Sequence, residues 1–427
     1  MKIILALLVT WILLSGCSAM AMQPAALAYE GAPTPEPALT PVEIGAQDPA
    51  PAYAPATEQT ISPVLPSTSP LPAEPLTDSR PQPLNPTPIP YRYAFGPYSF
   101  PADINPLTGL PADDINLLKR RPLVIKVTNF PRSVRPQWGL SLADHVFEYF
   151  IGDSMSRFIG IFYGRDANRV GPIRSARLFD EHIMRMYQGI FVFGWADDSI
   201  LNYLLAPDIK NHLLVERPDN CPPLCRIGAD DTYNNLFADT SQIGAYLSKR
   251  RTNNDRQVLD GLQFDLDPPK SGNPGEKFIL KYSVVSYHYW EYDQDQGRYL
   301  RYQETDDATG GKEESYAPLT DSLTETQLSA NNVIVLLVPH YYFLKSSSTE
   351  ILDQLLLGEG KGYAFRDGLI YPINWSRDQR DRQFKLTLPN GVQFSLKPGT
   401  TWFEIIGETS LFERLSDETY RFEFGIP

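Results

Sequence analysis

Cysteine is nearly missing from this chain, with three in 427 residues, at Cys17, Cys221 and Cys225, and histidine is scarce at five. Two late thiols without a second Cys or His pair nearby cannot complete a tetrahedral zinc site, so no metal is expected. So few cysteines also exclude a small disulfide-stapled scaffold. Positive charge is short as well: 38 Lys and Arg face 51 Asp and Glu, for a formal net charge of −13. That balance argues against a nucleic-acid partner, because phosphate backbones are met by basic surfaces. Long apolar runs are missing apart from one at the N-terminus. No later segment approaches the roughly 20 apolar residues that a membrane-spanning helix needs. Familiar catalytic signatures are absent too. There is no Gly-x-Ser-x-Gly elbow, no His-Glu-x-x-His and no phosphate-binding Walker loop. Gly152-Asp153-Ser154 and the Asp293, Asp295, Glu304 spacing are too incomplete to assign a nucleophile or a calcium loop. No catalytic residue and no cofactor is assigned.

What is present begins with an address. Met1-Lys2 precedes the apolar run Ile3 to Leu14, and Leu14-Ser15-Gly16-Cys17 follows. One positive charge, a short apolar core and small residues before a cleavage point make a secretory signal over residues 1–17. The Leu-Ser-Gly-Cys ending resembles the lipobox of bacterial lipoproteins, which implies cleavage before Cys17 and acylation (palmitate or similar chains) of its thiol. The expected location is extracytoplasmic, held at the bacterial membrane by the lipid. Two or three acyl chains give the lasting attachment that one cannot. In an exported protein, Cys221-Pro222-Pro223-Leu224-Cys225 reads most simply as a disulfide closing a short loop. Free thiols and a metal ligand pair are the alternatives.

Residues 18–100 form a Pro-rich tether, with eighteen of the 39 prolines falling between Pro24 and Pro90. Such a stretch cannot bury enough apolar surface to offset its ordering entropy, and a disordered linker is expected. At about 3.1 Å per residue it spans on the order of 200 Å. The rest is long enough for two domains. Residues 105–255 alternate strand-like and helix-like segments, predicting an α/β domain. The strand-like runs are Leu123 to Thr128, Asp144 to Ile151, Phe158 to Tyr163 and Gly189 to Trp195. Helical spacing covers Leu178 to Tyr187, Ile200 to Leu205 and Ile243 to Arg250. Residues 260–427 predict a smaller, β-rich, mainly antiparallel domain. Its clearest hairpin is Phe384 to Leu396, turning at Asn390-Gly391.

The most unusual local composition is Ser156 to Arg185, with six arginines in an acidic protein. Gly171-Pro172-Ile173-Arg174-Ser175-Ala176-Arg177 lies there, just before a predicted helix. A guanidinium recognises carboxylate or phosphate through two parallel hydrogen bonds, and a helix start favours anions. The pattern points to a ligand site built from Arg157, Arg174, Ser175 and Arg177, with Ser175 as a hydroxyl donor or helix cap. Asn129, Arg135 and Asp197 follow strand ends, where open α/β sheets tend to bind ligands, and join the candidate set. The competing expectation is that the arginines pair with Asp144, Glu148, Asp180 and Glu181. His182 is a lone histidine and reads as structural. The aromatic clusters Tyr287 to Tyr292, His340 to Phe343 and Trp402-Phe403 read as core.

A family resemblance rests on particular blocks. Asn105-Pro-Leu-Thr-Gly-Leu110, Arg121-Pro-Leu-Val-Ile-Lys-Val-Thr-Asn129, Arg135-Pro-Gln-Trp-Gly-Leu140 and Ala143-Asp144 look like the opening of the YerB-like lipoproteins. Ser156-Arg157-Phe158 and Gly171 to Arg177 are similar to that family's most distinctive stretch. Asn332-Val-Ile-Val335, Gly362 to Gly368 and Lys397 to Trp402 are similar to its C-terminal domain. The resemblance implies two domains and an envelope location but supplies no reaction. The long tether and the Cys221 to Cys225 loop depart from simpler members. Two functions follow as expectations. One is a binding module for an anionic envelope component, such as a wall polymer, or for an envelope protein. The other is a hydrolase or transferase acting on an envelope polymer.

Overall fold

β1 (Leu123–Thr128) is buried along its whole length, with apolar side chains toward both faces, as a strand covered on two sides must be. A computed structural model describes residues 94–228, 233–346 and 350–426. The signal segment, Cys17 and the tether up to residue 93 lie outside them. The described chain starts by pairing Phe95 with Phe264 through two backbone hydrogen bonds of 3.0 and 2.8 Å.

Around β1 the chain adds β2 (His145–Gly152), β3 (Met155–Phe162), β4 (Ile190–Phe193) and β5 (Leu213–Val215). Three helices accompany them: α1 (Phe179–Met186), α2 (Asp198–Leu204) and α3 (Thr240–Lys249). α1 forms where Phe179, Ile183 and Met184 recur on one face. Asp180 and Glu181 in its first turn and Arg185 in its last suit the helix dipole. The later strands are β6 (Lys277–Lys281), β7 (Tyr287–Asp293), β8 (Arg298–Glu304), β9 (Asn332–Val338), β10 (Gly358–Arg366), β11 (Leu369–Arg377), β12 (Lys385–Thr387), β13 (Thr401–Gly407) and β14 (Thr419–Glu423).

Most of these strands join one mixed sheet in the order β12-β11-β10-β9-β13-β2-β3-β1-β4-β5. β13 inserts between β9 and β2, parallel to both, with Trp402 opposite Val333 and Val146. A second sheet holds β8-β7-β6-β14 at its centre. One face of the large sheet packs Tyr149, Ile159 and Phe403 against α1 and α2. The other packs Val146, Phe158 and Trp402 against Phe278, Trp290 and Phe422 of the second sheet. Each fully buried side chain of this size stabilises by roughly 1.5–3 kcal/mol.

Two expectations change. The first region is strand-rich with few helices, rather than an even α/β alternation. The second region does not stand apart from the first, because six of its strands, the short Asn273–Pro274 among them, complete the first region's sheet and both hydrophobic clusters draw on both regions. The reason is geometric: β2 has an unpaired edge that β13 satisfies. The Asn390-Gly391 turn forms, with Leu388 N donating to Val392 O at 2.8 Å. Beyond it only Thr387 and Gln393 bridge, and Ser395-Leu396 leaves to pair in parallel with Gln263-Phe264. Phe394 and Leu396 gain more by burying beside Phe264.

Candidate functional site

β1 and β4 run parallel, in register at Leu123 to Ile125 and Ile190 to Val192, and then part. The segment Pro172 to Ala176 fills the gap. Thr128 N donates to Pro172 O (3.0 Å), Arg174 N to Lys126 O (3.2 Å), Gly194 N to Arg174 O (3.1 Å) and Ala176 N to Trp195 O (2.7 Å). The arginine-rich motif is thus a wedge at the carboxyl ends of two parallel strands, the customary ligand crevice of such sheets. Gly171 opens it at φ 149°, where a Cβ would lie 2.9 Å from Leu236 O and from the Phe237 ring. That position needs glycine.

The wedge gathers three guanidinium groups. Arg157 of β3 donates Nη1 to Ser175 O at 2.7 Å. Arg174 reaches Asn234 Oδ1 at 2.6 Å and Thr128 Oγ1 at 3.4 Å. Arg177 donates Nη1 to Ala176 O at 2.9 Å. Among the described residues none of the three forms an ion pair, so most of their five donors each remain available. Burial lowers the Arg157 pKa to about 9, and Arg177 and Arg174 repel its charge further. Arg174 is lowered by burial and by Arg177 in the same way.

The acids that could have neutralised them are used elsewhere. Asp144 accepts from Asn105 Nδ2 and from the Tyr163 and Gly164 amides. Glu148 accepts from Arg301, and Glu181 from Arg185 and Arg380. Asp180 accepts from Lys126 Nζ (2.9 Å), the Tyr149 hydroxyl and the Arg177 amide (2.7 Å). The pairing expectation therefore holds for Arg185 and fails for Arg157, Arg174 and Arg177. Asp180 also occupies the start of α1, so neither an external anion nor Ser175 caps it. The residue at the cap position is Leu178. Beneath the arginines, burial lowers the Lys126 pKa to about 7 although Asp180 pulls it upward.

A cleft of about 460 Å³ opens beside Arg177 and Ser175, with Trp195, Asp197, Asp153 and Glu350 around it. Trp195 is 54% exposed, unusual for that side chain. Asp197 caps α2, accepting from Ser199 N at 3.0 Å, and those hydrogen bonds hold its carboxyl below the usual range.

Asn129 and Arg135 do not join this cleft. Arg135 Nε donates to Asn129 O and Oδ1 (3.0 and 3.1 Å), and Nη2 to Glu304 Oε1 (2.7 Å). Asn129 Nδ2 donates to Ser156 Oγ (2.9 Å) and to Glu148 Oε1 (3.3 Å). Both belong to a polar seam between the sheets, on the opposite face. Its centre is Arg301, which donates Nη1 to Glu404 Oε1 (3.1 Å) and Nη2 to Glu148 Oε2 (2.5 Å). Three aromatic rings enclose it, those of Trp402, Trp290 and Phe158, at 4.9–5.3 Å. His288 completes the group, its Nε2 lying 3.2 Å from Glu404 Oε1. Glu148, His288 and Glu404 place ligand atoms within 4.8 Å of one another. Arg301 already supplies the cation these carboxylates need, and the arrangement fits an ion-paired seam better than a metal site.

His182 lies 3.4 Å from Asp353 on another side of α1. The sulfurs of Cys221 and Cys225 are bonded, at the base of a ribbon pairing Leu224–Arg226 with Leu236–Ala238. Most of the aromatic clusters are core, except that Tyr341 and Phe343 are 56% and 64% exposed. Reading the sequence missed Lys126, Trp195, Asn234 and Glu404. Lys126 and Glu404 carried a signal, a charge inside an otherwise apolar strand. Trp195 and Asn234 carried none.

Comparison with known proteins agrees with this architecture. Residues 107–253 match the N-terminal domain, and residues 278–403 the C-terminal domain, of a family described as "Protein of unknown function (DUF3048)". "Putative lipoprotein YerB" of Bacillus subtilis (strain 168) is 26% identical over 312 residues, covering 70% of this chain and 85% of that protein. The crystal structure of YerB from Bacillus subtilis superposes with a TM-score of 0.59 at 22% identity, covering 71% of this chain and 96% of the other. That likeness carries the fold. The chain belongs to this two-domain, YerB-like family.

Proposed function

We propose that this chain is a lipid-anchored, extracytoplasmic binding module whose arginine wedge takes an anionic component of the cell envelope. The observation that carries the reading is that Arg157, Arg174 and Arg177 converge without an ion-pair partner among the described residues. Holding three like charges together is unfavourable, and a phosphate or carboxylate would relieve it. The anchor is read from Leu14-Ser15-Gly16-Cys17 and is supported by the lipoprotein name of the relative. A tether on the order of 200 Å would carry the site away from the membrane.

The enzymatic alternative, a hydrolase or transferase, draws on Lys126, whose pKa near 7 suits proton transfer. Lys126 is fully buried and already engaged by Asp180 and Tyr149. Of the carboxylates around the cleft, Asp197, which lies close to Arg177, is more acidic than usual and so a poor base. Binding is the better supported reading.

The test is binding of the full chain to fractionated wall polymers and muropeptides over a salt series, beside Arg174→Ala/Arg177→Ala. Binding by the parent that weakens with salt and is lost in an equally stable double variant is the expected result. Equal binding by both proteins, or none by the parent, overturns the assignment.

A further inference from the structure

The cleft beside Arg177 carries charges of both signs. Its cationic side is Arg177, with Arg157 and Arg174 behind it in the wedge. Its other walls bear Asp153, Asp197, Asp198 and Glu350. Arg177 and Asp197 are close enough for the guanidinium to lower the carboxyl's pKa, although the Ser199 hydrogen bonds act more strongly. One Asp197 oxygen serves Ser199, and no described side chain forms an ion pair with Asp197 or Asp198. Trp195 stands at the same lip, between the wedge, which it joins through Ala176 N, and the two aspartates that follow it.

A polyanion fits these surroundings poorly. The whole chain carries −13, and four carboxylates edge the entrance. The Debye length at physiological salt is about 8 Å, so rim charges act on anything seated in the cleft. Repeated negative charges along a polymer would meet the rim as well as the arginines. The rim and Trp195 together have the chemistry of an ammonium site, in which carboxylates and an exposed aromatic face attract a cation. The arginines have the chemistry of an oxyanion site.

Resting on the proposed anion-binding role, we infer that the cleft recognises a zwitterionic group, an oxyanion held by Arg177 with an ammonium on the same ligand held by Trp195, Asp197 and Asp198. Phosphate and carboxylate share this chemistry, and an amine-bearing phosphate ester and a short peptide with both termini free are the two sources.

Calorimetric titration of the full chain separates them. The probes are phosphoethanolamine against ethyl phosphate, and dialanine against N-acetyl-dialanine. At least tenfold tighter binding of the ammonium-bearing member of one pair is the expected result. The Asp197→Asn/Asp198→Asn variant should cut that preference below threefold while keeping the anion's own binding, because Asn preserves the cap of α2. Arg177→Lys should weaken both members of the pair together. Equal or better binding of ethyl phosphate and N-acetyl-dialanine overturns the zwitterion and leaves the anion site standing. No binding of any probe by the parent overturns both.

Discussion

Arg301 of β8 donates to Glu148 of β2 across the packed sheets, Nη2 to Oε2 at 2.5 Å, with neither side chain exposed to solvent. The guanidinium also serves Glu404, so one cation answers two buried carboxylates. Arg301→Met would strand both. The expected loss is about 3–5 kcal/mol in urea unfolding, because a broken buried pair leaves uncompensated charge. Adding Glu148→Gln and Glu404→Gln should recover part of it. A single variant within about 1 kcal/mol of the parent would show that the seam is not held by this pair.

Acid should weaken the fold through its buried histidines. His145 is neutral, since Nε2 lies 2.6 Å from Leu107 O and must donate, leaving Nδ1 to accept from the Tyr187 hydroxyl, also at 2.6 Å. Burial lowers its pKa to about 4, that of His340 to about 4 and that of His288 to about 3. The unfolded chain takes up these protons near pH 6.5 and the folded chain does not. The contribution is therefore complete above about pH 6.5 and is lost as pH falls toward 4. Asp144, raised to about 6 by burial, works the other way over part of the same range. In chemical denaturation at pH 7 and pH 4.5, His145→Asn should shrink the difference in stability by about 2 kcal/mol. An unchanged difference would refute the neutral assignment.

Gly171→Ala tests the wedge. An alanine at φ 149° is strained, and its Cβ would press on Leu236 O and the Phe237 ring. We expect about 1–3 kcal/mol of destabilisation, with weaker anion binding because Arg174 and Ser175 follow directly. Parent-like stability and binding together would mean that the wedge tolerates displacement.

Cys221→Ser/Cys225→Ser removes a crosslink four residues apart in sequence. For so short a loop the chain-entropy contribution is about 2 kcal/mol. The ribbon it adjoins carries Asn234, which accepts from Arg174. Amide exchange should quicken over Leu224–Arg226 and Leu236–Ala238 while β1 to β3 keep their protection. Uniform change across the sheet would contradict a local role.

Much of this arrangement could be read from residues alone. Apolar, β-branched and aromatic runs placed β1, β2, β3 and β4, and helical spacing placed α1, to within a few residues. The crowding of arginine in an acidic chain pointed at Arg157, Arg174 and Arg177. Asn129 and Arg135 were assigned to the wrong face. β1 is apolar on both sides, so no alternation distinguishes the face that meets α1 from the face that meets the second sheet. Only the pairing partners of each strand settle which way its polar neighbours turn.

The sequence by itself determined the local pieces: most of the strands, the three short helices and the clustering of positive charge. These depend on neighbouring residues, whose spacing and backbone preference act over a few ångströms. Tertiary structure alone decided that β13 joins β2 and β9, that Asp180 is taken by Lys126 and Tyr149, and that Trp195 and Asp197 face the wedge. Those outcomes depend on which distant surfaces bury best against one another. Whether Arg174 and Arg177 are bonded or free depends on acids that packing commits elsewhere.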